Sequence, residues 1–190
     1  NASDDATCRE AERVLPGVSI IRNKINRGFG AAVNQGMVEV KTAYGFCFSP
    51  DAVLVGDAME QLVSTANSNP NAAMLGPFLQ NTKGEQDLYV MGPGEITHSP
   101  LPRKPDGNFC TWFVMGGFFL NRISAWHEIG GFDEQIFLYN EDVDLCLRAT
   151  KAGRCLMVVP DAVVVHAGGQ SSAVTWRVRW RKDWHQTWSR

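Results

Sequence analysis

The sequence predicts an α/β protein in which a mostly parallel β-sheet is flanked by helices. Short apolar runs, several of them β-branched, alternate with longer segments of helical composition through the first 79 residues. Turn residues such as Pro, Gly and Asn separate these segments. The chain has 190 residues, 44% of them hydrophobic, which is enough for one sizeable core. We therefore expect one α/β domain.

The first 79 residues predict three helices and three strands in alternation. The first helical segment stops at Pro16-Gly17 and the third at Asn69-Pro70. A glycine loop, "NRGFGAAVN", opens the second helix. The predicted helices lie at 6–14, within 26–45 and at 56–70, and the predicted strands at 18–23, within 45–54 and at 72–79.

The rest of the chain predicts a long loop followed by further strands and helices. Residues 80–108 are rich in Gly, Pro and polar residues, which indicates a long loop or an irregular hairpin. Then "FCTWFVMGGFFLNR" predicts a strand, a helix follows through "ISAWHEIGGF", and an acidic helix precedes a strand pair in "CLMVVPDAVVVHAGG". We place residues 1–173 in one domain and residues 174–190 in a helical segment rich in Trp and Arg.

Charge and cysteine content exclude several classes of protein. The net charge of −2 gives no attraction of the whole surface to nucleic acid, so no nucleic-acid partner is expected. Five scattered cysteines without a CxxC pair indicate neither a disulfide framework nor a zinc ribbon, and they favour a reducing cytosol. The polar opening "NASDDAT" is typical of a loop that enters a helix, so we expect the fold to begin upstream of Asn1.

Three carboxylates, Glu141, Asp142 and Asp144, stand at the start of the acidic helix. Asn140 is a favourable N-cap, and a first helical turn favours negative charge, so the acids can simply stabilise the helix start. Asp144 lies four residues before Arg148, which is the spacing of an ion pair. The pattern does not fit a calcium-binding EF-hand loop. Glu141 and Asp142 are therefore candidates for a general base.

A second pair of candidate residues comes at the ends of strands. Asp51 follows one predicted strand, and His166 follows another, "AVVVH". Open α/β sheets bind ligands at the carboxyl ends of their strands, so this carboxylate and this imidazole can share one divalent ion. A hydrogen-bonded structural His and a turn Asp are the alternatives.

The glycine loop contains Gly28 and Gly30 but not the third glycine of a dinucleotide fingerprint. A glycine loop at a helix start can approach a nucleotide or phosphate closely. A tight turn between a strand and a helix explains the same residues equally well.

The C-terminal segment carries Trp176, Trp180, Trp184 and Trp188 at intervals of four residues, with Arg and Lys between them. On a helix this spacing forms one slanting aromatic stripe. Such a stripe packs against the body of the protein or another subunit of a homo-oligomer, attaches to an anionic membrane surface, or contacts an acceptor or a nucleic acid. The residues alone leave all three interpretations open.

Taken in order, six segments of the chain resemble the family-2 glycosyltransferases with the GT-A fold, especially their bacterial rhamnosyltransferase-like branch. They are "NASDD", "NRGFGAAVNQG", "FSPD", "GGFFLNR", "GGFDEQIFLYNEDVDLCLRATKAG" and "VVHAGGQS". The resemblance covers nearly the whole chain, and its last three segments are highly specific. It implies that the family's first strand, first helix and second strand precede Asn1.

The resemblance implies an inverting enzyme that moves a sugar from a nucleotide-sugar donor to a saccharide or lipid-linked acceptor. Rhamnose is the expected sugar, and cell-surface polysaccharide synthesis is the expected process. The implied cofactor is a divalent cation, Mn or Mg. A non-catalytic binding or assembly module is the alternative. The expected location is the cytoplasm, with peripheral attachment to the inner face of the cell membrane.

The same resemblance assigns roles to particular residues. Asp142 corresponds to the base that takes the proton of the acceptor hydroxyl, with Glu141 as the substitute. Asp51 and His166 correspond to the metal ligands, and Ser49 stands where a full Asp-x-Asp motif has its first acid. The residues implied to contact the nucleotide sugar are Asn1, Ser3, Asp5, Gly28, Gly30, Asn34 and Asp51.

Overall fold

A computed structural model describes residues 1–3, 6–92, 95, 99–101, 103–168 and 176–188. Within these residues the helices are α1 Thr7–Val14, α2 Phe29–Val38, α3 Ala58–Ser68, α4 Ile123–Ile129, α5 Glu141–Lys151 and α6 Trp176–Trp188. The strands are β1 Tyr44–Phe48, β2 Ala52–Val55, β3 Ala72–Asn81, β4 Tyr89–Val90, β5 Ser99–Pro100, β6 Phe109–Thr111, β7 Phe118–Arg122 and β8 Cys155–His166. None of the described helices is long and apolar enough to cross a membrane.

Six of these strands form one mixed sheet, in the order β1-β7-β3-β8-β2, with β6 also paired to β8. The predicted α/β fold class is confirmed. The sheet is mixed rather than mostly parallel, because among the described strands only β3 and β8 pair in parallel. Alternation of strands and helices along a sequence indicates the class of fold, but it does not fix the direction of each strand.

Strand β8 is one long strand, where the sequence predicted a pair. Its first half pairs with β6 and its second half with β2, while β3 runs beside both halves. An irregularity in the pairing of β8 with β3 divides the two halves of β8. Pro77 and Phe78 are consecutive in β3, but they lie opposite Val159 and Val163, which are four positions apart in β8. The uninterrupted partner strand keeps the two halves in one element.

The core lies on both faces of the sheet. Met74 and Leu75 of β3 are buried on opposite faces, as successive residues of a strand are. On the face of Leu75, the core includes residues of α3. On the face of Met74, it includes residues of α2, α4 and α5. Helix α5, which carries the acidic cluster, is thereby held firmly against the sheet.

The strand predicted at Val18–Asn23 is wrong. This segment is irregular, and Val18 and Ile21 are 40% and 45% exposed. A β-branched run forms a strand only where a neighbouring strand can accept its backbone hydrogen bonds, and no described strand pairs with this segment. The irregular hairpin predicted at residues 80–108 is confirmed in its described part, where β4 and β5 pair antiparallel.

Candidate active site

Asp51 and His166 meet at the edge of the sheet, as predicted. Asp51 lies in the turn between β1 and β2, and His166 is the last residue of β8. The antiparallel pairing of β2 with β8 sets Ala52 opposite His166 and therefore brings Asp51 beside it. The Nε2 atom of His166 is 3.4 Å from the Oδ2 atom of Asp51, and both side chains are largely buried.

Ser49 holds the Asp51 carboxylate in position. Its hydroxyl donates to the Oδ1 atom of Asp51 at 2.6 Å. Burial alone would raise the pKa of Asp51, but this hydrogen bond and the charge of His166 outweigh burial and lower the pKa below its ordinary value. The carboxylate is therefore ionised at neutral pH.

The residues around His166 fit a divalent cation shared with a ligand. The Nδ1 atom of His166 is buried without a hydrogen-bond partner in the described residues, and the nearest acid, Asp87, has its Oδ2 atom 3.9 Å away. Carboxylate oxygen and imidazole nitrogen are both common donors to divalent metal ions. No group of three or more His, Cys, Asp or Glu side chains able to hold a metal occurs in the described part of the chain. A cation held by these two side chains alone would keep coordination positions for oxygens of a further ligand.

The second candidate centre lies at the start of α5. The predicted N-cap position of Asn140 is confirmed, but its side chain makes no capping hydrogen bond. Tyr139 and Asn140 instead both have left-handed backbone, with φ of 66° and 64°. Two consecutive non-glycine residues of this kind are uncommon and are typical of functional sites.

Asp142 is held by backbone groups. The amide of Gly116 donates to its Oδ2 atom at 3.1 Å, and the amide of Val143 donates to its Oδ1 atom at 2.9 Å. A Cβ atom added at Gly116 would lie 3.1 Å from the Cβ atom of Asp142, so the glycine permits this close approach. The side chain remains partly exposed, as a proton acceptor for a substrate must be.

Glu141 differs from its neighbour. It is only 7% exposed, and its Oε2 atom has no hydrogen-bond partner among the described residues. Burial, followed by the negative charge of Asp142, raises the pKa of Glu141 to about 7. Glu141 therefore carries a proton for much of the time at neutral pH.

Asp144 forms the predicted ion pair with Arg148, with 2.7 Å between the Oδ2 and Nη2 atoms. Arg148 also donates to the backbone oxygen of Ile129, at the end of α4. This prediction is confirmed, and the pair links α5 to α4.

Two consecutive glycines connect the two candidate centres. The amide of Gly116 donates to Asp142, and the carbonyl of Gly117 accepts the amide of Ser49 at 3.0 Å. Ser49 in turn orients Asp51. This connection was not predicted from the sequence, although the Gly-Gly pair in "VMGGFF" indicates a place where two backbone segments approach closely.

Three of the predicted nucleotide-side residues contact the loop that precedes α5. Gly28 has a φ of 91°, and an added Cβ atom would lie 2.4 Å from the oxygen of Phe137. An added Cβ atom at Gly30 would lie 2.8 Å from the Cβ atom of Phe132. The amide side chain of Asn34 both donates to the carbonyl of Phe132 and accepts from its amide, each at 2.9 Å. These residues hold the loop, and their role in nucleotide binding stays a prediction.

The N-terminal predictions have different outcomes. Asn1 donates to the side chain of Asn26 and to the carbonyl of Gly28, so it lies beside the glycine loop. Ser3 is exposed. Asp5 lies outside the described residues.

The predicted C-terminal helix is present as α6, and it contacts the loop before α5. His185 stacks on Phe137, with ring centroids 4.7 Å apart. On the same helix, Trp176, Trp180 and Trp184 are 74%, 61% and 46% exposed. The aromatic stripe is thus not buried against the body of the protein at these three positions.

Comparison with known proteins gives consistent matches. The chain is 29% identical over 202 residues to N-acetylglucosaminyl-diphospho-decaprenol L-rhamnosyltransferase of Mycobacterium tuberculosis, covering 90% of this chain and 66% of that protein. It is 45% identical over 51 residues to rhamnosyltransferase WbbL of Escherichia coli, covering 27% of this chain and 19% of that one. The chain thus spans less than two thirds of the length of these relatives.

Two solved structures share the fold. GalNAc-T7, solved with UDP, GalNAc and Mn²⁺, has a TM-score of 0.68 at 16% identity and covers 94% of this chain and 38% of its own. The mannosyltransferase PcManGT of Pyrobaculum calidifontis, solved with GDP-Man and Mn²⁺, has a TM-score of 0.64 at 15% identity and covers 94% and 49%. The fold is therefore of the GT-A type. The family model of the glycosyltransferase like family 2 matches residues 1–184, and the chain belongs to this family.

Proposed function

We propose that this protein transfers a sugar, L-rhamnose, from a nucleotide-sugar donor to a saccharide or lipid-linked acceptor, with inversion at the anomeric carbon. The observation that carries the proposal is the chain of contacts from Asp142 through Gly116 and Gly117 to Ser49 and Asp51. It joins a partly exposed carboxylate to a buried carboxylate–imidazole pair. A transferase of this kind needs a base for the acceptor and a charged site for the diphosphate.

Asp142 is the proposed general base. The acceptor hydroxyl oxygen attacks the anomeric carbon, the bond from that carbon to the diphosphate oxygen breaks, and the hydroxyl proton passes to Asp142. Attack from the side opposite the leaving group inverts the anomeric configuration. Backbone amides of Gly116 and Val143 orient the carboxylate. Glu141 is the substitute base, and it is the weaker candidate because it is only 7% exposed, so an acceptor hydroxyl reaches it less readily than Asp142.

Asp51 and His166 are the proposed ligands of a divalent cation, for which Mn²⁺ is the better match because Mg²⁺ is a hard cation that takes oxygen ligands. The cation, when bound, neutralises the charge of the departing nucleoside diphosphate. The lowered pKa of Asp51 keeps this ligand ionised, and Ser49 fixes its orientation. GalNAc-T7 and PcManGT were both solved with Mn²⁺, which supports the choice.

The donor-side residues are proposed to act together with the glycine loop. Asn1, Ser3, Asp5, Gly28, Gly30 and Asn34 are the predicted contacts of the nucleotide sugar. Asn1 ties the chain start to the glycine loop, since it donates to the carbonyl of Gly28. The close approach of Gly28 to Phe137 couples this loop to the segment before Asp142. Donor binding and base position are thereby linked.

Two relatives support a proposal for the acceptor and the process. The mycobacterial relative is named for an N-acetylglucosaminyl diphospholipid, and it and the Escherichia coli relative are both named rhamnosyltransferases. We therefore propose a lipid-linked saccharide acceptor and a role in cell-surface polysaccharide synthesis. The proposed location is the cytoplasmic face of the membrane, where such an acceptor is available.

Helix α6 is proposed to contact that membrane surface. Exposed Trp176, Trp180 and Trp184 suit the headgroup region, and the Arg and Lys residues of the segment suit anionic lipid. Flotation with phosphatidylglycerol vesicles is expected to recover the full chain and not a form lacking residues 174–190. Equal recovery of both forms contradicts this contact.

A transfer assay tests the main proposal. The protein is incubated with Mn²⁺, nucleotide-activated sugars and a polyprenyl diphosphate-linked N-acetylglucosamine, and nucleoside diphosphate release and product are measured. Rhamnose transfer with inverted anomeric configuration is expected, dependent on Mn²⁺. Retained configuration, or transfer that is unaffected by removal of divalent ions, contradicts it.

A further inference from the structure

Cys110 and Cys155 lie side by side on neighbouring strands, away from the candidate active site. Their Sγ atoms are 2.8 Å apart, although the residues are 45 positions apart in the chain. Strand β6 pairs antiparallel with β8, and Cys110 lies opposite Met157. Cys155 is two residues before Met157 and therefore on the same face of the sheet as Cys110, at the diagonal position. The sheet thus holds two thiols in direct contact.

The other cysteines lack this arrangement. Cys47 and Cys146 are buried, and burial raises the pKa of both thiols, that of Cys47 to about 12. Because both thiols are buried, a small disulfide in solution cannot reach them. Cys110, by contrast, is exposed, and Cys155 is partly exposed. Among these four thiols, only the contacting pair combines accessibility with a second sulfur in reach.

We propose that Cys110 and Cys155 are a site of reversible oxidation by a low-molecular-weight disulfide such as oxidised glutathione. The exposed Cys110, as its thiolate, attacks one sulfur of the small disulfide and releases the first small thiol. The Cys155 sulfur then loses its proton, attacks the Cys110 sulfur of the mixed disulfide and releases the second small thiol. Two protein thiols are oxidised and one small disulfide is reduced to two thiols, so no further oxidant is needed.

The position of the pair gives the cross-link a structural effect. It closes a loop that runs from β6 through β7, α4 and α5 to the first residue of β8. This loop includes Gly116 and Asp142. Because a disulfide restricts the unfolded chain, closing a loop of this length is expected to raise Tm by roughly 10 °C. In a reducing cytosol such a pair acts as a transient, redox-dependent link and not as a permanent one.

Peptide mapping tests the proposal. The purified, reduced protein is incubated with oxidised glutathione, its remaining thiols are alkylated, and the digest is analysed by mass spectrometry. One peptide pair joined through Cys110 and Cys155 is expected, together with the rise in Tm, and both are expected to reverse with dithiothreitol.

Variants provide the controls. Cys110→Ser and Cys155→Ser are each expected to abolish the linked peptide and the Tm shift, whereas Cys8→Ser is expected to retain both. Alkylation of both cysteines in the treated wild-type protein, or stable glutathione adducts on Cys110, overturns the proposal. This readout uses the wild-type chain, so it holds even if a variant folds poorly.

Discussion

The two candidate centres each depend on an aspartate, and the surroundings of the two carboxylates differ in kind. Asp51 is largely buried and held by side chains, the hydroxyl of Ser49 and the imidazole of His166, which lower its pKa. Asp142 is partly exposed and held by the backbone amides of Gly116 and Val143. A buried carboxylate beside an imidazole suits a cation, whereas a carboxylate that still faces solvent suits proton transfer.

The neighbours of the two aspartates sharpen this contrast. Asp51 lies beside a group that carries positive charge when protonated, so ionisation of its carboxyl is favoured. Asp142 lies beside Glu141, a second acid whose own ionisation is opposed by burial and by Asp142. Two residues of one type thus differ in their electrostatic surroundings, and they suit different roles.

The largest expected effect is that of Asp142→Asn. The side-chain amide of the asparagine can still accept the hydrogen bond from the backbone N–H of Gly116, but it cannot take a proton from the acceptor hydroxyl. The kcat for transfer is therefore expected to fall roughly 1,000-fold, with donor binding nearly intact. Asp144→Asn, on the same helix, is the matched control because Asp144 pairs with Arg148. Turnover retained in the first variant, or lost equally in both, contradicts the base assignment.

The second-largest expected effect is a loss of folding stability with rising pH, caused by Glu141. The pKa of Glu141 is about 7 in the folded state, which is above its value in the unfolded state. At pH values between the two, the folded state binds more protons than the unfolded state, so the free energy of unfolding falls as pH rises. The loss from about pH 4.5 to pH 8 is expected to reach roughly 3 kcal/mol in the free energy of unfolding.

Glu141→Gln is expected to remove this loss, as measured by denaturant unfolding at several pH values. The exposed Glu60, which also lies in a first helical turn, provides the control variant Glu60→Gln. Identical pH profiles for Glu141→Gln and the wild type contradict the raised pKa.

His166→Ala is expected to weaken Mn²⁺ binding by at least roughly 100-fold, measured by calorimetric titration in the presence of nucleoside diphosphate, because loss of a residue that only orients a ligand already costs about 10- to 100-fold. The imidazole is the proposed nitrogen ligand, and Asp51 alone cannot replace it. His127→Ala removes an exposed imidazole on α4 and is expected to bind Mn²⁺ as the wild type does. Unchanged Mn²⁺ affinity in His166→Ala excludes this residue as a ligand.

The smallest expected effect is that of Ser49→Ala. Loss of the hydrogen bond to the Oδ1 atom of Asp51 is expected to raise the pKa of that carboxyl and to weaken Mn²⁺ binding roughly 2- to 10-fold. The same titration measures it. If Ser49→Ala weakens Mn²⁺ binding as strongly as His166→Ala, Ser49 is a ligand and not an orienting residue.

Much of the fold was predictable because its signals are local. Pro and Gly marked the ends of helices such as α1, and the four-residue spacing of Asp144 and Arg148 predicted their ion pair. The strand predicted at Val18–Asn23 failed because β-propensity describes a residue's fit to a sheet and does not supply the neighbouring strand. The pair predicted at the end of the domain became one strand because β3 runs beside both halves of β8.

The sequence by itself determined the α/β class, the helix positions and the residue types at both centres. Only the tertiary structure decided the mixed strand directions, the contact of Asp51 with His166 and the Gly116–Gly117 connection to Asp142. It also decided that Glu141 is buried while Asp142 is not. The physical reason is the distance along the chain over which each effect acts. Periodicity, capping and turn preferences act over a few residues. The contacts at the two centres join segments that are far apart in the chain, and packing of the whole sheet sets them.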